Sequence, residues 1–515
     1  MLKKMTNLGG LFAQRADHPL ADPRELKKII AELPKDNAFR ALDEVAGWLE
    51  SLQGEHDCPL DRVFDAARQM TEAAQPHLKR LARDYLHTPR LNRSDEKRLW
   101  SINYGFWTLL AATYESCLRV AESDKGKVAD ALRRELPMLC TCLLEALGAV
   151  LKWEQFHYGP SPGELWKRLG HVLLVAEEAG VANKVVSLGG TAGVSHAAQE
   201  YLKVMIFQAA SMDSLLPLEI DLAERLIDHF LPGFVLTSEA MPDSVYWVDL
   251  VLPQPPLRLA RMPERSAPTL RFCKPGAAHA AMLDVLNLLE KGGDVPAEIN
   301  LGAQYHPKTL VPVLRHLVAY LAPIPPQRKH DRHRVKHRMS VLNGLVNAFV
   351  AFSGEFGGRP AGLQMESWVV ENVSRGGFGA MLNSIPAEWL KVGALIAMQP
   401  EGGENWLLGI IRRYHRQSET EAKVGIEALA RLAVSAELKP RTASSYAAVA
   451  GIPALLVMDG NEAGELRVVL PPMTFDLREN LELSLNGERQ LLKPVSLIES
   501  TPDYELARYR VTVLG

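Results

Sequence analysis

Through residues 1–235 the apolar positions fall at helical spacing, and beyond residue 339 they fall in short, turn-separated runs of strand character. Phe39, Leu42, Val45, Ala46 and Leu49 share one helical face, and Asp36 stands where a cap for that segment is expected. Ser94 precedes a long apolar and aromatic segment through Trp100, Tyr104, Trp107 and Ala111. Ser161-Pro162-Gly163-Glu164 is a capping box with proline at the first helical position, opening LWKRLGHVLLVAEEAG. Residues 1–235 are therefore expected to form an α-helical region.

The texture changes over 236–275, where SVYWVDLVLPQPPLRLARM and TLRFC predict a small β element around a proline-rich bend. Helical spacing returns over 276–325 and stops at APIPPQ (322–327), where proline ends the helix and forces an extended path. MSVLNGLVNAFVAF, LQMESWVVENV, GFGAML, VGALIAMQ, NWLLGIIRRYH and EAKVGIEALA then predict the strands of a small barrel over 326–440. Past KPRTASS (439–445), residues 441–515 predict a second all-β unit. There Leu481, Leu483 and Leu485 alternate, and Asn486-Gly487 supplies a two-residue hairpin turn. The expected fold class is α+β and multidomain: a helical N-terminal region, a six-stranded β-barrel and a second barrel-like unit. Within the helical region Trp166, Leu169, Gly170 and Ala182 echo a tetratricopeptide repeat. No second copy occurs at the required period, so stacked helical hairpins are expected rather than a repeat array.

A length of 515 residues exceeds one ordinary core, and 47% apolar with 23% charged residues fits a soluble globular protein. With a net charge of −3, any attraction for nucleic acid or membrane must be local. Five cysteines without a Cys-x-x-Cys fit a reducing compartment, and Cys140 and Cys142, two apart on a helix, face different ways. MLKKMTNLGGLFAQ lacks the apolar core of a signal peptide, and LCTCLLEALGAVL (139–151), interrupted by Glu145, reads as short of a membrane span. A cytoplasmic protein is expected. The chain holds no Gly-x-Ser-x-Gly, His-Glu-x-x-His or Walker pattern, and LGGTAG (188–193) lacks the Lys-[Ser/Thr] of a phosphate loop. No catalytic role is expected.

Two local anomalies carry the functional signal. QRKHDRHRVKHR (327–338) sets Arg328, Lys329, Arg332, Arg334, Lys336 and Arg338 against a single Asp331. Most such runs are solvated linkers. Arginine's planar fork, however, also grips phosphate bidentately and stacks on flat rings. His330, His333 and His337 lie among these repelling cations and make a poor metal set. The second anomaly is ENVSRGGFGAMLNSIP (371–386), where a strand-like run breaks at Asn372-Val373-Ser374-Arg375-Gly376-Gly377 and resumes at once.

Arg-x-x-x-Arg ahead of a small barrel, then [Asp/Asn]-x-Ser-x-x-Gly at the end of an early strand, resembles the PilZ domain family. The resemblance spans about 328–430 and includes GIIRRYHRQSETEAKVGIEAL, with Gly425-Ile426-Glu427 in the closing strands. It implies a bacterial receptor for the second messenger cyclic di-GMP. Tether arginines would fold over its phosphates and guanines, Asn372 and Ser374 would face a guanine, and Gly377 would let backbone approach closely. Arg328 and Arg332 are the favoured pair, Arg334 and Arg338 the alternative register, and Arg375 stands beside the motif. Arg412 and Arg413 either add charge near this edge or form rim ion pairs, and SGEFGGRPAG (353–362) lengthens the spacing between the motifs. The expected ligand is cyclic di-GMP, with no further cofactor and no metal. Binding would order the linker, reset the packing of barrel against helices and so address a protein partner through the helical region. No membrane partner is expected, and sparse aromatics around the linker argue against nucleic acid. The alternative reading is an interaction scaffold whose degenerate barrel binds no nucleotide.

Overall fold

The computed structural model describes residues 18–53, 58–88, 91–160, 163–189, 193–299, 301, 305, 307–324, 330–353, 365–385, 389–441, 451–485 and 487–514. They divide into two compact units, one of residues 1–157, 161–212 and 217–326, the other of 158–160, 213–216 and 327–515.

The first unit carries α1 (Pro23–Glu32), α2 (Ala38–Ser51), α3 (Leu60–His87), α4 (Arg93–Ser123), α5 (Lys127–Arg134) and α6 (Leu136–Phe156). These are followed by α7 (Gly163–Glu178), α8 (Ala197–Ala209), α9 (Pro217–Phe230), α10 (Gly276–Glu290) and α11 (Pro307–Leu321). Asn37, not Asp36, caps α2 by accepting the Arg40 N–H at 3.0 Å. Asn92, two residues ahead of Ser94, caps α4 by accepting the Asp95 N–H at 2.9 Å. In both places the asparagine has the extended backbone a cap needs. Ser161 and Pro162 of the expected capping box lie outside the described residues.

Helix α6 is apolar on nearly every face and buried along most of its length, as an all-round hydrophobic helix must be. Its 21 residues make it long and apolar enough to cross a membrane, which corrects the reading of 139–151 as too short; 67% of its apolar stretch is buried inside the protein. Each buried leucine on it is worth roughly 2 kcal/mol over exposure, whereas Glu145 is only partly buried. Cys140 and Cys142 are buried and unbridged, and burial pushes each thiol up to about 12. Gly170 serves a purpose different from the repeat-like packing expected of it. A Cβ there would stand 1.9 Å from the Leu250 carbonyl oxygen, so the small residue admits the backbone of the β element. Among the described residues two small sheets precede the barrels: the pair β1 (Val186–Ser187) with β2 (Val194–Ser195), and a four-stranded sheet. That sheet contains β3 (Val235–Thr237), β4 (Tyr246–Asp249), β5 (Leu257–Arg258) and β6 (Leu270–Lys274), in the order β3-β6-β4-β5.

The second unit is two closed six-stranded antiparallel barrels. The first contains β7 (His333–Asn343), β8 (Glu366–Ser374), β9 (Gly377–Leu382), β10 (Leu395–Pro400), β11 (Leu407–Arg416) and β12 (Ala422–Ala430). The second contains β13 (Ala433–Pro440), β14 (Ile452–Val457), β15 (Glu465–Leu470), β16 (Leu481–Leu485), β17 (Glu488–Ser500) and β18 (Glu505–Leu514). Strand β13 pairs with β14 and β16, so the boundary drawn at 440/441 moves back to residues 431–432. Asn486 and residues 442–445 lie outside the described residues. Gly487 has the positive φ of +83° that the expected hairpin turn requires.

GLVNAFVAF, read as strand, is instead helix α12 (Gly344–Phe352), entered through Gly344 at φ +77°. Leu345, Ala348 and Ala351 form its buried face, whereas Val346 is 75% exposed. That face packs between the barrels, against Leu395, Ala397, Leu408 and Ile410 of the first and Leu455, Val457, Val469, Tyr504 and Leu506 of the second. The helix explains the unbroken apolar run of β10. Ile396 and Met398 fill the first barrel, while Leu395 and Ala397 face the shared core outside it. Inside the first barrel Trp368 and Trp389 stack at 5.8 Å, each indole N–H donating to Glu366 at 2.8 and 2.9 Å.

Candidate ligand site at the edge of the first barrel

The site is built where β7 enters the barrel and β8 leaves it. Arg334 pairs directly with Asn372, and His333 with Val373; across the next ladder Asn372 pairs with Gly379, and Ser374 with Gly377. Both ladders are shifted here, between Arg334 and His337 on β7 and between Val370 and Asn372 on β8. A bulge inverts the alternation of side chains. Val370 points into the barrel core and Val373 packs against that core, so Asn372 and Ser374 are turned to the outer face beside Arg334. Without the inserted residue Asn372 would share the inward face of Trp368 and Val370.

Gly377 and Gly379 make this edge possible by their lack of side chains. A Cβ on Gly377 would lie 1.9 Å from the Ile426 carbonyl oxygen, so only glycine lets β9 close on β12 there. A Cβ on Gly379 would lie 2.5 Å from Asn372 Nδ2 and 2.8 Å from its Oδ1, so the Asn372 carboxamide lies across the face that Gly379 leaves bare. The Ser374 hydroxyl donates to the Gly377 carbonyl at 3.3 Å and staples the turn. His330 lies over the same turn, its Cδ2 placed 3.1 Å from where a Gly376 Cβ would be.

The arginines separate into distinct roles. Arg328 lies outside the described residues, as do residues 354–362 of the insertion. Arg332 is exposed one residue ahead of β7, and Arg334 is exposed within it. Among the described residues neither guanidinium has a hydrogen-bond or ion-pair partner. Arg338 pairs with Val369, about 10 Å along the sheet from Asn372. Its Nη1 donates to Ser367 Oγ at 3.3 Å, and its backbone N–H donates to Glu401 at 3.3 Å. The 334/338 register is therefore split, with Arg334 at the rim and Arg338 away from it. Arg375 is exposed at the turn. Arg412 is an ion-pair residue, donating to Glu427 at 2.6 Å and to both oxygens of Glu499 at 2.7 Å. Burial opposes its charge, but these carboxylates hold its pKa above the usual arginine value. Arg413 lies 3.4 Å from Asp213.

A second concave site, which no sequence motif marked, lies in the helical unit. A cleft of about 370 Å³ is lined by α3, α4, α6, α8 and α9. Lys152 lies 2.5 Å from both Asp221 and Glu224, Arg225 lies 2.9 Å from Asp221, and Lys203 lies 2.7 Å from Glu200. Tyr305 donates a further hydrogen bond to Asp221. Burial works against ionisation of Asp221, yet Lys152 and Arg225 hold its carboxyl below the usual range. Glu145 is different: burial, then the carboxylates of Glu200, Glu224 and Asp228, push it up to about 7 against the pull of Lys203. In sequence these charges look like the solvated faces of helices; the packing of α6, α8 and α9 brings them into one cleft.

The family model for the cyclic-di-GMP receptor FimW, N-terminal domain, matches residues 24–241. The comparison with curated proteins returns no match. The family match corrects the resemblance drawn from the two barrel motifs: it falls on the helical N-terminal region, not on the C-terminal barrels, and the assignment of residues 328–430 to the PilZ family is withdrawn. The arginines and the 372–377 rim stand on their geometry alone.

Proposed function

We propose that the protein is a non-catalytic, cytoplasmic receptor for cyclic di-GMP that holds its ligand on the outer edge of the first barrel. The observation that carries this reading is the pairing of Arg334, a guanidinium with no partner among the described residues, with the outward-turned Asn372. Arg332 adds a second cation at the same strand entry, and Arg328 extends the set by its place in the sequence. A cyclic dinucleotide presents two phosphate charges and two flat bases, which arginine forks meet by charge, hydrogen bond and stacking. The Asn372 carboxamide offers a donor and an acceptor to a base edge, and the Ser374 hydroxyl, its proton committed to the Gly377 carbonyl, offers one more acceptor. Further support comes from the helical region, whose family match is to the N-terminal domain of a cyclic-di-GMP receptor. Capture of the ligand by Arg332 and Arg334 fixes the entry to β7, and a protein partner reads the result.

Thermal unfolding of the full chain with and without cyclic di-GMP tests this. A ligand at a hundredfold excess over its dissociation constant raises stability by about 2.7 kcal/mol. Wild type is expected to gain stability with cyclic di-GMP and not with cyclic di-AMP, and Arg334→Ala is expected to lose most of the gain. An unchanged melt for wild type rejects the receptor and favours the scaffold reading; equal gains for wild type and Arg334→Ala reject this site.

A further inference from the structure

We infer that the second barrel is part of the ligand-reading device, with Asp459 acting through Arg431 to position the Arg375–Gly377 turn. The inference rests on the reading of the 372–377 rim as the cyclic di-GMP site and extends it to a positioning role for residues that touch no ligand.

On the tether side Arg332 and Arg334 have no hydrogen-bond or ion-pair partner among the described residues, but the turn is tied firmly from behind. The Gly376 carbonyl accepts the Ala428 N–H at 3.0 Å, and the Arg375 carbonyl accepts from Arg431 Nη2 at 3.1 Å. Arg431 belongs to the two-residue junction between barrels. Its backbone N–H donates to both Asp459 oxygens, at 3.1 and 3.2 Å, and the Leu432 N–H donates to Asp459 Oδ1 at 3.1 Å. Asp459 lies in the β14–β15 connection of the second barrel, where the Met458 N–H donates to the Leu432 carbonyl at 2.9 Å and Arg467 Nη2 donates to the Asp459 carbonyl at 2.7 Å. One carboxylate thus fixes the backbone of the residue whose side chain holds the rim. A second tie runs parallel to it. Glu427, the ladder partner of Gly377, is bound by Arg412, which is clamped in turn by Glu499 of β17.

A ligand that needs the Asn372–Gly377 edge in one geometry binds more tightly when this tie is made, and by linkage its binding strengthens the tie by the same factor. The rim's affinity is therefore set partly by the junction between barrels, and anything acting on the second barrel changes it.

Two readouts test the inference on the full chain. In calorimetric titration with cyclic di-GMP, Arg431→Met is expected to bind about five- to tenfold more weakly than wild type, the loss set by one positioning hydrogen bond, while Arg431→Lys, which keeps a donor, stays within about twofold. In ligand-free hydrogen exchange, peptides spanning 372–379 are expected to exchange at least about threefold faster in Arg431→Met and in Asp459→Ala, with the helical region unchanged. Wild-type affinity in Arg431→Met together with wild-type exchange at 372–379 in both variants overturns the inference. Faster exchange in a protein whose wild type takes up no cyclic di-GMP upholds the positioning role and removes the ligand reading instead.

Discussion

Gly379→Ala separates ligand reading from folding at this site. The added Cβ would fall 2.5, 2.8 and 2.9 Å from Nδ2, Oδ1 and Cγ of Asn372, so it must displace that side chain. What it meets is the end of a rotatable carboxamide, not backbone. An off-rotamer shift of Asn372 costs about 1 kcal/mol, and replacing glycine within a strand recovers about 0.5 to 1 kcal/mol. Net stability should stay within about 1 kcal/mol of wild type, a shift of a few degrees or less in Tm. Affinity should respond far more: losing one or two hydrogen bonds from Asn372 to the ligand weakens binding about ten- to a hundredfold. Calorimetric titration of cyclic di-GMP, paired with a thermal melt of the same samples, reads both. Unchanged affinity at unchanged Tm would remove Asn372 from the ligand contacts and, with it, the role given to the β8 bulge.

Gly377→Ala makes the opposite case, because its Cβ meets the Ile426 backbone at 1.9 Å and the β9–β12 ladder must part; a loss of about 2 to 4 kcal/mol is expected in chemical denaturation. Arg412→Met leaves Glu499 without its bidentate partner and is expected to lower stability by about 1 to 2 kcal/mol, less at high salt since Arg412 is part-exposed. Lys152→Met removes the cation shared by Asp221 and Glu224, and a loss of about 3 kcal/mol should appear in urea unfolding at neutral pH. Glu145, raised from 4.5 to about 7, keeps a proton in the folded state that the unfolded chain releases. The Glu145 penalty to wild-type stability is therefore absent below pH 4, grows as pH rises from about 4.5 to 7, and is level above. Relative to wild type, Glu145→Gln should gain stability across that window by up to about 3 kcal/mol, measured by urea unfolding at each pH.

The alternation of Val424, Ile426 and Ala428 and of Leu481 and Leu483 made the barrels legible, because period two survives wherever one face is buried. It failed at GLVNAFVAF, where a short apolar run looks alike as buried strand or buried helix, and where two barrels needed a helix between them. It also failed at the junction: only two residues separate β12 from β13, with no turn composition to mark the change of barrel. The rim was legible as residue types, and Asn372, Ser374 and Gly377 do lie on one edge. The bulge that turns the polar pair outward leaves no signature in the sequence. A family resemblance was sought in local motifs, whereas the family model matches the helical region, whose periodic pattern is common to many proteins. The charge cluster around Lys152 and Lys203 escaped for a related reason, being drawn from helices far apart in the chain.

Isothermal titration of cyclic di-GMP into the full-length protein, run on wild type, Arg332→Ala, Arg334→Ala and Asn372→Ala, addresses the central claim most directly. Saturable heat for wild type and at least about tenfold weaker binding for Arg334→Ala and Asn372→Ala is the predicted result. No heat from wild type, or the same isotherm from all four proteins, contradicts it.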